Sequence, residues 1–189
     1  LFISILLILG TFQIGSNIVN YLTKSKIFFL NSTQSWFLNF LVGIILLSQT
    51  VYILIISTKH NLIIPLFSIL ILNFGIYLFV KLSKKIKFQN IKKKNYLDYF
   101  ILINFFFFFI ISAGPPTMAD ALDYNYGVAN YLINFSDWPP VSLWLHGGIA
   151  GLGEVYSSLG LFLYADNLGG IIQSLSLIFF CIFLSSELN

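Results

Sequence analysis

The residues of this chain that could do chemistry are few and close together: Asp120, Asp123, Asp137, His146 and Glu154. The first four lie in residues 114–146, which read GPPTMADALDYNYGVANYLINFSDWPPVSLWLH. Asp120 and Asp123 are three apart, so a helix puts both on one face. Two ionised carboxylates so placed repel modestly unless a cation or substrate lies between them. Such a pair could orient a hydroxyl, take its proton, or hold a divalent cation. Each residue also has a plainer role. Thr117 and Asp120 have the spacing of a capping box, Asp123 could be solvated, and Asp137 before Trp138 and Pro139 suits a turn. Glu154 suits a polar rim, and His146 an interface. Tyr124, Tyr131 and Trp144 could stack on a sugar ring or sit in an interfacial aromatic belt. The sequence shows no serine-histidine-acid set, no cysteine pair and no metal-spaced histidines.

The elements that position these residues are membrane spans. The chain is 58% hydrophobic and 9% charged, with a mean hydropathy of +0.88. A soluble domain carries roughly 25% charged residues. The expected fold is all-α, a polytopic bundle of transmembrane helices with juxtamembrane amphipathic helices in a non-cytoplasmic loop. A span needs about 20 mostly apolar residues. Candidates run over about 1–22, 36–57, 62–80, 96–113 and 168–184. Gly10, Gln13, Ser16 and Asn17 share a face of the first, a pattern typical of helix packing. Residues 117–134 place apolar groups at helical spacing opposite the two aspartates, which predicts a helix lying along the membrane surface. Residues 141–164 are less apolar, and a second juxtamembrane helix is expected there, with a full crossing as the alternative. Asp166 and Asn167 could cap the last span.

All the basic residues are lysines, and net charge is +3. That is not a nucleic-acid signature, and no nucleic-acid partner is expected. Lys24 and Lys26 fall on the same side as the run from Lys81 to Lys94, while Lys59 and the acidic loop fall on the other. The positive-inside rule makes the lysine-rich side cytoplasmic. The domains are then 1–113, four spans; 114–166, a non-cytoplasmic loop; and 167–189, a fifth span. The chain opens at Leu1 within an apolar segment, so we expect it to be part of a longer protein.

A span, then a loop reading Ala119-Asp120-Ala121-Leu122-Asp123-Tyr124, then Pro139-Pro140-Val141 with Trp144, Leu145 and His146, resembles the start of the GT-C superfamily. These are multi-spanning glycosyltransferases that use polyprenyl-phosphate-linked sugars. Asp120 and Tyr124 fit the family's Asp and Tyr, and Ala121 stands where Glu is common. Similar loops occur in bacterial membrane proteins with His in place of Asn125. The resemblance covers about residues 114–184. It implies sugar transfer outside the cytoplasm, in the cell envelope of a bacterium. Asp120 and Asp123 would be catalytic, and Tyr124, Tyr131, Trp144, His146 and Glu154 would bind substrate. The partners would be a lipid-linked sugar donor and membrane lipids. A transporter or a non-catalytic scaffold is the competing expectation. Of the polar residues in the spans, Gln13, Asn17, Gln49, Asn73 and Asn104, none is ionisable, which favours the transferase.

Overall fold

A computed structural model describes residues 1–24, 32–84, 96–114, 126–140 and 151–188. The described residues are helical, with no strand among them. The helices are α1 (Phe2–Lys24), α2 (Ser32–Thr58), α3 (Ile63–Ser83), α4 (Tyr96–Ser112), α5 (Val128–Phe135), α6 (Leu152–Leu161) and α7 (Leu168–Leu188). Three of them, over Phe2–Lys24, Ser35–Thr58 and Ile63–Ser83, are long and apolar enough to cross a membrane. The protein is therefore a membrane protein. Each of these begins and ends within a few residues of the span expected from hydropathy.

Helix α1 is the hub, packed along both α2 and α3. Apolar burial does not drive helices together in lipid, so close backbone approach must supply the attraction. Glycines allow it. A Cβ on Gly10 would collide with the Ile71 carbonyl of α3, and one on Gly75 with the Leu6 carbonyl of α1. On the other side, Gly15 meets the Asn39 carbonyl of α2, and Gly43 the Thr11 carbonyl of α1. The polar residues expected to share this packing face behave differently. Gln13 and Asn17 bond each other at 2.8 Å, and Asn20 bonds Ser16 at 3.2 Å, along a partly exposed stripe. Their own helix satisfies them, so only Gly10 belongs to the packed face.

The five long helices alternate. We call the end where α1 begins the near face. The turn after α2 brings the chain back to that face, and Lys59, at φ 49°, ends α2 with its N–H on the Ile55 carbonyl at 2.8 Å. Helix α4 ends there too. Asn167, just before α7, donates to the Ala113 carbonyl at 2.9 Å and accepts from Ser4 Oγ at 2.6 Å. The start of α1, the end of α4 and the start of α7 are thus tied by one side chain. The expected capping role of Asn167 is replaced by this bond set. Helix α7 then runs to the far face, where Phe37 near the start of α2 stacks on Phe183 with centroids 4.9 Å apart.

Helices α5 and α6 are short. At about 1.5 Å per residue they span roughly 12 and 15 Å, well below the ~30 Å hydrocarbon core. Residues 141–150 of the expected second juxtamembrane helix lie outside the described residues; α6 by itself is too short to cross, and α7 begins on the face where α4 ends. Helix α5 is amphipathic as expected over its described length, with Val128, Ala129 and Leu132 buried and Asn130 and Asn134 exposed. Residues 117–125 of the expected surface helix lie outside the described residues, although Tyr126 and Gly127 lead into α5.

The glycine contacts generate a test. Gly75→Leu, which drives a side chain into the α1 backbone, should destabilise the protein by at least about 1–3 kcal/mol. Gly153→Ala, where a Cβ meets nothing within 4 Å, should be neutral or slightly stabilising, by up to about 1 kcal/mol. Thermal unfolding in detergent reads both.

Candidate functional site

Two places in the fold gather polar chemistry: the near face, and a cavity beside α6. At the near face the chain is fastened on both sides of residues 115–125. On one side Gly114 follows α4, whose end is held by Asn167. On the other, the Tyr126 hydroxyl donates to the Asp166 carbonyl. Burial, and next the charge of Asp166, push the Tyr126 phenol up to about 12, so it remains a donor.

Beyond α5, Ser136 takes a left-handed turn at φ 50° and its N–H closes on the Leu132 carbonyl at 3.0 Å. Asp137 follows. Its Oδ1 accepts the Trp138 N–H at 2.9 Å and its Oδ2 accepts from Lys59 Nζ at 2.6 Å. The Lys59 hydrogen bond holds the Asp137 carboxyl below its ordinary range. Trp138 packs edge-on against Tyr52 of α2 with centroids 5.2 Å apart. The turn role expected of Asp137 is present, joined to an ion pair that fastens the loop to the α2–α3 turn. His60 in that turn is exposed and accepts the Leu62 N–H at 3.2 Å.

The second place is deeper. Helix α6 packs against α1, α2, α3, α5 and α7. Ser68, in the second turn of α3, donates to the Leu159 carbonyl at 2.9 Å. The fully buried Tyr156 bonds its hydroxyl to Thr11, halfway along α1. Thr11 donates its single proton to the Leu7 carbonyl at 2.9 Å, so Tyr156 is the donor of the pair. Helix α6 therefore runs outward, from mid-depth toward the near face. Its first turn is the deep end. Glu154 there accepts the Gly151 N–H at 2.7 Å and lines a cavity of about 130 Å³ with Ile44, Ser157, Gly169 and Gln173. Ile44 is at the centre of α2, which fixes the depth. Glu154 is thus an ionisable group halfway through the bundle. Its side chain is half-buried, and it stands in the first turn of α6 in a capping box with Gly151.

Of the expected site residues, Asp120, Asp123, Tyr124, Trp144 and His146 lie outside the described residues. Tyr131 lies on α5, half-buried, with its ring against Phe135 at 4.5 Å between centroids. It does not line the Glu154 cavity, so these two are not brought into one pocket. Among the described residues no three His, Cys, Asp or Glu side chains come together as metal ligands. The sequence reading missed Tyr156 and the bridging role of Asn167. A signal was available: their partners Ser4 and Thr11 are seven residues apart, one face of α1 carrying two hydroxyls into the bundle.

The Asp137 pairing predicts a small pH dependence. Its carboxyl titrates lower in the folded protein than in the unfolded chain. The pair then contributes its full stabilisation above about pH 4, and loses it as pH falls through the lowered value. The pair is exposed, so solvent screens it. Asp137→Asn should cost no more than about 1 kcal/mol and flatten the unfolding midpoint against pH below about pH 4.

Residues 72–186 match the DUF1420 N-terminal domain. This is more than half of the 189 residues, and the chain belongs to that family. The match takes in part of α3 and all of α4 to α6, and nothing in it ties the chain to the GT-C superfamily. No curated protein and no solved structure matches the chain.

Proposed function

We propose that this member of the DUF1420 family is a membrane glycosyltransferase that moves a sugar from a polyprenyl-phosphate carrier to an acceptor outside the cytoplasm. The observation that carries the reading is the fastening of the near face. Residues 115–125, which include Asp120 and Asp123, run between two held ends: Gly114 after the Asn167-bound end of α4, and Tyr126 on the Asp166 carbonyl. A catalytic loop needs such support, because carboxylates act efficiently only when held in place. In this reading Asp120 accepts the proton of an acceptor hydroxyl. The freed oxygen attacks the anomeric carbon, and the lipid phosphate leaves with the electrons of the bond that breaks. Asp123 positions the donor or, with Asp120, holds a divalent cation. Tyr124, Tyr131, Trp144 and His146 contribute stacking and hydrogen bonds to the sugar. Membrane lipids and the lipid-linked donor are the partners, and no nucleic acid is involved.

In this reading the protein lies in the inner membrane of a bacterium, with the near face outward. The lysines support this orientation. Lys24, Lys81 and Lys84 gather at the far ends of α1 and α3, and basic residues accumulate on the cytoplasmic side. One observation favours a transporter as the second reading: Glu154 lines a cavity with Ile44 of mid-α2 beside the short helix α6, and transporters place their sites near mid-depth.

Two experiments test the proposal. Single cysteines at Lys84 and Asn134, in a Cys181→Ser background, should react differently with an impermeant thiol reagent on intact cells. Labelling at position 134 and not at 84 is expected, and the reverse pattern would exclude transfer at the outer side. Sugar transfer from a lipid-linked donor should then fall by roughly 10²–10⁴-fold in Asp120→Asn at unchanged protein level, and by less in Asp123→Asn. If Asp120 only caps a helix, Asn replaces it without loss, and full turnover by that variant removes Asp120 from the chemistry.

A further inference from the structure

The geometry points to a binding site for a small monovalent cation in the cavity between α6 and α7, with the Glu154 carboxylate as its charged ligand and the Ser157 hydroxyl and Gln173 amide oxygen as neutral ones. This site does not rest on sugar transfer. Several observations converge on it.

The first is place. Glu154 shares the cavity with Ile44 at the centre of α2, and its neighbour Tyr156 reaches Thr11 halfway along α1. An ionisable side chain at that depth is costly, and it is found where it faces a polar cavity or a partner. The second is charge. Among the described residues, the cavity lining contains one carboxylate and no basic residue. The ion pair among the described residues, Lys59 with Asp137, is at the near face. A carboxylate offers about four acceptor positions, and the Gly151 N–H uses one of them.

The third is the donor set. Oxygen ligands suit hard cations. No cluster of acidic side chains forms among the described residues, so the cavity does not offer the several carboxylates that a calcium site requires. A single positive charge neutralises a single carboxylate, and in a low-dielectric interior the neutral combination is the stable one.

The fourth is space. Gly153 and Gly169 line the cavity without side chains, and a Cβ on Gly169 would press on Ser157 Oγ at 3.1 Å. The glycine keeps the Ser157 hydroxyl free to face inward. A cavity of about 130 Å³ holds an ion with a few waters, at about 30 Å³ of liquid volume for each water.

The test uses the purified full chain in neutral detergent, with sodium, potassium or lithium chloride exchanged against choline chloride at constant ionic strength. Choline carries the same charge on a methylated ammonium that oxygen ligands cannot approach as closely as they approach a bare small ion. Thermal unfolding should move up saturably with at least one of the small ions, by about 3–5 °C at ten times its Kd. Glu154→Gln should weaken that ion by about tenfold or more. Its amide oxygen can still accept the Gly151 N–H and it carries no uncompensated charge, so its unfolding midpoint in choline should equal or exceed that of the wild type. Should Glu154→Gln fail to fold, Ser157→Ala and Gln173→Leu carry the test, each expected to weaken the same ion. Equal midpoints in all four salts would overturn the site, as would an undiminished shift in Glu154→Gln or in both substitutes.

Discussion

The structure depends on backbone meeting backbone at α1. Water squeezes apolar helices together in a soluble protein, and a bilayer does not. Gly10 and Gly15 lie on α1, and Gly43 and Gly75 face it from α2 and α3. These four positions bring three main chains within contact and make α1 a shared wall. Hydrogen bonds then order what the glycines admit. Ser4 and Thr11 send hydroxyls from that wall to Asn167 and Tyr156, and these position α7 and α6. Of the polar contacts that shape the two sites, α1 supplies the two that cross the bundle from Ser4 and Thr11.

Much of this was legible in the sequence, because the hydrocarbon core imposes its length on every span. The three long helices follow from runs of about 20 apolar residues, and the amphipathic character of α5 follows from the spacing of Val128, Ala129 and Leu132. Less was legible where a polar residue had two possible partners. Asn167 beside Asp166 reads as a cap, and only the arrival of Ala113 and Ser4 turns its side chain across the bundle. Gln13 and Asn17 read as packing glue, but an i,i+4 pair satisfies itself. The surroundings of Glu154 were not legible, because they depend on the direction of α6. A ten-residue helix rich in Gly and Ser has no hydropathy signature that distinguishes lying at a surface from descending into a bundle.

The two sites make different demands. The near face is a fastening: charges and turns exposed to water, each bond weak, with the ends of the acidic stretch held by several at once. The cavity beside α6 is an interior site, where few groups act but each acts in a low dielectric, and where an uncompensated charge is costly. A sugar-transfer loop needs the first arrangement, and an ion needs the second. Helix α6 links them, since its outer end leads through residues 162–167 to the side chain that closes the near face.

That side chain also sets an order in time. Ser4 and Asn167 are separated by 163 residues, so their bond can form only after all the helices between them have been made. The contacts of α1 with α2 and α3 are available early, and they can form while the later helices are still being made. The bundle is consequently assembled with an open flank, into which α6 and α7 fit last. During that interval Thr11 has its own Leu7 carbonyl for company, while Ser4 must borrow water or a lipid headgroup. Until then α1, α2 and α3 make a unit whose open flank has the shape of α6 and α7.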